Sequence, residues 1–137
     1  MSVRVYYEDT DFSGIVYHAN YLRFLERGRT NHLRLLGAGH RSLFEEAQQE
    51  APGFAFVVRS MQIEFFKPAR MDDVLEVMTW PEQVKGASIT LHQQITRGDE
   101  LLVEAHVRVA FVCAGRARAI PKALRTAMRA GQDLIGT

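Results

Sequence analysis

The chain has 137 residues, 47% of them hydrophobic and 24% charged, and a formal net charge of +1. That length predicts one domain over residues 1–137 with a full core, and the near-neutral charge argues against nucleic acid or an anionic membrane as partner. One cysteine, Cys113, excludes an intrachain disulfide, and no apolar run could span a bilayer, so a soluble cytoplasmic protein is expected.

In chain order, Val3 to Tyr7 reads as a short strand, followed by an acidic turn punctuated by Gly14. From Ala19 to about Leu36, apolar or small residues (Tyr21, Phe24, Leu25, Gly28, His32, Leu35, Leu36) recur at helical spacing, with Arg23, Glu26, Arg27, Arg29 and Arg34 mostly on other faces. Gly28 costs this helix about 1 kcal/mol relative to Ala, which predicts close approach to a sheet at that point. Gly37 and Gly39 are expected to end the helix, and Arg41–Gln49 to form a shorter one before Pro52-Gly53.

Beyond Gly53 the period changes to two. Phe54–Lys67, Val74–Trp80, Ser88–Thr96 and Leu101–Val112 read as strands, with Val57, Arg59, Met61, Ile63 and Phe65 expected on one face of the first. In the last, Val103, Ala105, Val107, Val109 and Phe111 face one way and Glu104, His106 and Arg108 the other. Arg97-Gly98-Asp99 predicts a tight hairpin, and Lys122–Gly131 a terminal helix after Pro121. The class is α+β: an antiparallel sheet of about five strands wrapped around one long helix. Edge pairing between two copies would satisfy the remaining apolar surface, giving a homodimer or a homotetramer.

Polar chemistry gathers just before the long helix. A helix N-terminus offers unpaired N–H donors and a partial positive charge, suited to an anion or a developing oxyanion. Asp11 lies a few residues upstream and is the leading catalytic candidate: a carboxylate there can attack a carbonyl or deprotonate water. Its bland alternative is a turn or capping role. Asp9 fits a loop role better, accepting backbone N–H groups. His18, near the helix start, is the second candidate. Gly14 permits an unusual turn geometry, and Tyr7 and Tyr17 could line a substrate pocket or simply pack. His18, His32, His40, His92 and His106 show no His-Glu-x-x-His spacing and Cys113 has no Cys-x-x-Cys partner, so no metal site is predicted. Cys113 reads as a small buried residue, and Glu26 as a salt-bridge or interface residue.

Tyr7-Glu-Asp-Thr-Asp11-x-x-Gly14-Ile-Val-Tyr17-His18-Ala-x-Tyr21 resembles the active-site segment of hotdog-fold acyl-CoA thioesterases of the 4-hydroxybenzoyl-CoA thioesterase type. Within that group it is most similar to the Tol–Pal-associated acyl-CoA thioesterases of bacteria. The similarity continues in Ile63–Ala69 with Asp72–Leu75, and fades towards Ala119-Ile120-Pro121.

The resemblance implies a hotdog fold and hydrolysis of short- to medium-chain acyl-CoA, with acyl carrier protein as a further acyl source and aromatic acyl-CoA as the alternative that the broader family offers. It assigns Asp11 as nucleophile or general base, and gives His18 an oxyanion-hole or positioning role. It places the segment holding Lys85, Gly86 and Ser88 along the CoA. The basic run Arg116, Arg118, Lys122, Arg125 and Arg129 is a second candidate for the nucleotide end. Coenzyme A is part of the substrate, and no separate cofactor is implied. Two rival readings stand beside it: a hotdog enoyl-CoA hydratase, and a non-catalytic acyl-binding or scaffolding module linked to envelope or phospholipid machinery.

Overall fold

Alternation of inward and outward side chains builds one antiparallel sheet in the computed structural model, which describes residues 1–135. Its strands are β1 (Ser2–Arg4), β2 (Ala55–Phe65), β3 (Val74–Val84), β4 (Ser88–Arg97), β5 (Glu100–Cys113) and the two-residue β6 (Arg116–Ala117). The order is β1-β3-β4-β5-β2, with β6 pairing the end of β5. The helices are α1 (His18–Gly39), α2 (Arg41–Glu50) and α3 (Lys122–Ile135). The sheet curls around α1, which is the hotdog arrangement.

Tyr21, Phe24, Leu25 and Gly28 of α1 are buried against Val77, Leu91, Ile95, Val103, Val107 and Phe111 of the sheet. Gly28 meets the expectation of close approach: a Cβ there would lie 2.7 Å from Val77 Cγ1 and 3.0 Å from Thr79 Oγ1. Beside it, Gln93 is fully buried, donating to Leu25 O (2.9 Å) and Thr79 Oγ1 (2.8 Å) and accepting from Arg29 Nη1 (3.0 Å). This polar knot fixes the height of the helix over the sheet, because the buried Gln93 amide and Leu25 carbonyl lack water to fall back on.

Several expectations are corrected. β1 stops at Arg4, because Asp9 Oδ2 accepts the Tyr6 N–H at 2.9 Å and winds Tyr7–Asp9 into a 3-10 turn. Helix α1 continues through Gly37 and ends at His40, whose φ of −134° leaves the helical region. Leu35, expected on the buried face, is exposed.

The simple alternation along β2 is broken by a register shift between Val58 and Ser60. An extra residue reverses parity there, so Phe56 and Val58 share the inner cavity with Met61 while Val57 is exposed. β3 runs on through Pro81 to Val84. β1 pairs only with Val74–Glu76, so a residue without an N–H is tolerated beyond it. The inward set of β5 and the Gly98-Asp99 hairpin are as the sequence predicts.

Candidate active site

The segment before α1 is a small hairpin, bridged at Thr10–Val16 and joined to the sheet by a bridge from Ile15 to Arg70. At its tip the Asp11 N–H donates to Ile15 O (2.9 Å) and the Gly14 N–H to Asp11 O (3.1 Å). Gly14 has φ +83°, a conformation that most side chains avoid. Ser13 donates both its backbone N–H (2.8 Å) and its hydroxyl to Asp11 Oδ1. These two bonds, with lesser help from the Ile15 peptide and the His18 charge, hold the Asp11 carboxyl below its ordinary range. Asp11 is therefore ionised at neutral pH, and close enough to His18 to feel its imidazole.

Three contacts set the start of α1. The Asp9 carbonyl accepts from Tyr17 N (3.1 Å) and from the buried Asn20 Nδ2 (2.9 Å), while the Tyr21 hydroxyl accepts the Ala69 N–H (2.8 Å). Tyr17 occupies the N-cap without a side-chain cap bond, and among the described residues no side chain accepts from the N–H groups of His18 or Ala19. Beside this turn lies a cleft of about 180 Å³, lined by Ile15, Val16, His18, Tyr21 and the Phe65–Pro68 segment. The His18 ring lies 4.8 Å from that of Phe65. An uncapped helix terminus at a cleft, with an anion held on the adjoining turn, can polarise a carbonyl and supply a base or nucleophile to it.

A larger cavity of about 530 Å³ opens one helical turn further on, between α1 and the inner face of the sheet. Leu22, which lines it, is four residues from His18 and on the same helix face. Leu33, Phe56, Met61, Leu91 and Val109 make most of the remainder apolar. His32 borders it, and burial pushes its imidazole below the ordinary range, towards the neutral form.

Asp11 and Gly14 share the turn before α1 and Asp11 lies within electrostatic reach of His18, but of the three only His18 lines the cleft. Tyr7 and Tyr17 stand on the same loop but are largely exposed, and neither lines the cleft. Lys85, Gly86 and Ser88 lie at the other end of the sheet. Ser88 begins β4, whereas Arg97 at its far end bonds Asp73 and Pro68 near the α1 terminus. The segment leading into α3 and the helix itself pack onto that distant turn: Ile120 N–H donates to Gly86 O (2.8 Å), and Arg129 of α3 reaches Val84 O (3.1 Å). The two candidate places for the nucleotide are therefore one neighbourhood. Ser13, Asn20 and Tyr21 are the site-building residues that the sequence reading did not assign. A Ser two residues after an Asp is the signal that a turn of this kind offers.

Residues 5–128 match the family described as the thioesterase-like superfamily. The chain is 45% identical over 127 residues to the acyl-CoA thioesterase YbgC of Haemophilus influenzae, covering 91% of this chain and 90% of that protein. It is 45% identical over 123 residues to the acyl-CoA thioester hydrolase YbgC of Escherichia coli O6:H1, covering 89% and 86%. Among solved structures it is similar to a probable thioesterase from Bartonella henselae, with 38% identity, a TM-score of 0.71, and 88% and 96% of the two chains covered. With a family match running from the first strand's end into α3 and a sheet wrapped on one helix, this chain belongs to the thioesterase-like superfamily of hotdog proteins.

Proposed function

We propose that this chain hydrolyses acyl-CoA thioesters to a carboxylate and free CoA. The observation that carries this reading is the ionised Asp11 carboxylate, fixed by Ser13 on the turn adjoining an uncapped helix terminus and its cleft. The thioester oxygen would receive N–H groups at His18 as negative charge develops on it. Asp11 then acts in one of two ways. It takes a proton from the water that adds to the carbonyl carbon, or it adds itself and forms a mixed anhydride that water cleaves. In both, the C–S bond breaks and the thiolate leaves to be protonated as CoA.

The apolar cavity beyond Leu22 suits the acyl group, favouring short- to medium-chain substrates. The nucleotide end is assigned to Lys85, Gly86 and Ser88, with the α3 arginines, of a second copy. β2 is an edge strand carrying exposed Val57, Val58 and Phe65. Antiparallel β2–β2 pairing reverses the two ends of the sheet, bringing the partner's basic end to the side of Asp11. A homodimer, alone or paired into a tetramer, is the proposed working unit. Placement near the Tol–Pal-associated branch and the use of acyl carrier protein thioesters rest on the resemblance carried by the Tyr7–Tyr21 motif, and a cytoplasmic location on the single cysteine and the absence of an apolar run long enough to span a bilayer.

The test is a panel of saturated acyl-CoA substrates and crotonyl-CoA, with released CoA followed by a thiol-reactive dye. CoA release from short- to medium-chain saturated substrates is expected. Hydration of crotonyl-CoA without CoA release, or tight acyl-CoA binding with no turnover, would overturn the reading in favour of a hydratase or a binding module.

A further inference from the structure

We propose that the outer face of the sheet carries a site for one divalent cation of the zinc class, held by His92, His106 and Glu104. The three residues share no metal-binding spacing in sequence; the β4–β5 register brings them together. His92 lies directly opposite His106, and Glu104 sits two residues before His106 on the same face, opposite Gln94. All three alternate with inward residues such as Leu91, Gln93, Ala105 and Val107, so the cluster lies on the side of the sheet away from α1 and the thioester chemistry. The proposal is therefore independent of the acyl-CoA reading.

One ligand atom from each residue falls within a 4.8 Å group. Glu104 Oε2 is 3.4 Å from His92 Nε2, and Glu104 Oε1 is 3.8 Å from His106 Nε2. Ligands bound to zinc at about 2.0–2.2 Å in a tetrahedron are separated by about 3.3–3.6 Å. Those two contacts use different Glu104 oxygens, so a closure of about 1 Å and a tilt of the two stacked rings, now 10° from parallel with centroids 4.6 Å apart, would aim both lone pairs at one ion.

The surroundings favour a cation. Glu82 Oε2 lies 3.1 Å from His106 Nδ1, and a proton shared there leaves Nε2 as the lone-pair donor, the carboxylate–histidine arrangement that supports metal ligands. Gln94 Nε2 donates to Glu104 Oε2 at 3.0 Å and steadies that carboxylate. His92 Nε2 is enclosed and has no hydrogen-bond partner among the described residues, the Glu104 contact being close but unaligned. Two imidazole nitrogens and a carboxylate, set this close, suit zinc, nickel or copper rather than calcium or magnesium. Trp80 closes one side, its ring 4.3 Å from that of His92. A bound ion would tie β4 to β5 and keep a coordination position open to solvent or to another copy.

The sole tryptophan supplies the readout. Untagged, chelator-stripped protein is titrated with zinc chloride by calorimetry, and with nickel or copper chloride by Trp80 fluorescence. Saturable binding of one ion per chain is expected, with quenching by nickel or copper. Replacing His92 or His106 by Gln should weaken it at least about tenfold, and Glu82→Gln, which leaves all three ligands in place, about 10- to 100-fold. Absence of saturable binding, or binding unchanged in folded His92→Gln and His106→Gln proteins, overturns the proposal. So does quenching of Trp80 by acidification alone with no metal response, which would identify the cluster as a proton-binding pair.

Discussion

Ser13 holds Asp11 at a single oxygen: backbone N–H and hydroxyl both donate to Oδ1, and none of the described residues donates to Oδ2. The second oxygen thus has no donor among the described residues, and it is the one the proposed mechanism would use. Ionisation and aim come from the same two bonds.

The first prediction follows from that clasp. Because the Ser13 hydroxyl is the leading cause of the lowered Asp11 pKa, Ser13→Ala raises it towards the ordinary carboxylate value. In the proposed mechanism activity needs the ionised form, so it is retained above the Asp11 pKa and lost as pH falls through it. The acid limb of kcat/KM should move to higher pH in Ser13→Ala. Profiles of both proteins, in buffers where each stays folded, check the shift.

Gly28→Ala is expected to destabilise the fold. Ala gains about 1 kcal/mol of helix propensity, but its Cβ would meet Val77 Cγ1 at 2.7 Å and Gln93 Nε2 at 3.1 Å. Val77 is a stiff β-branched residue in a paired strand, so relief requires lifting the helix. Overpacking costs about 1–3 kcal/mol, which outweighs the gain and leaves a net loss of up to about 2 kcal/mol. Urea unfolding midpoints at constant m-value measure it.

The Gln93 knot predicts a coupled pair. Gln93→Leu leaves the half-buried Arg29 guanidinium and the Leu25 carbonyl without their partner. The expected loss is about 2–3 kcal/mol. Thr79 Oγ1 loses its donor as well, and adding Arg29→Leu removes one of these three groups and should restore part of that loss. A double-mutant cycle by urea unfolding reads the coupling, and strictly additive effects would argue against it.

The long elements were legible because their periods are long and unbroken: the inward residues of β5 and the buried stripe Tyr21-Phe24-Leu25-Gly28 need no tertiary information. Errors gathered where a single local bond redirects the chain. The Asp9–Tyr6 bond ends β1, and the shift near Arg59 reverses β2, yet neither changes composition. At the site, the Asp11–His18 neighbourhood was readable from short spacing across one turn. Separation of Lys85–Ser88 from it was not, because it depends on which end of β4 meets α1. The His92–Glu104–His106 cluster was hidden for the same reason, since strand register leaves no trace in ligand spacing.

Turnover of Asp11→Asn at saturating acyl-CoA tests the central claim most directly. Asn keeps the shape and can still accept the Ser13 bonds at Oδ1, so the turn should persist, with melting temperature and circular dichroism unchanged. The account predicts a fall in kcat of about 10²- to 10⁴-fold with little change in KM. Near-wild-type kcat in the folded variant would contradict it.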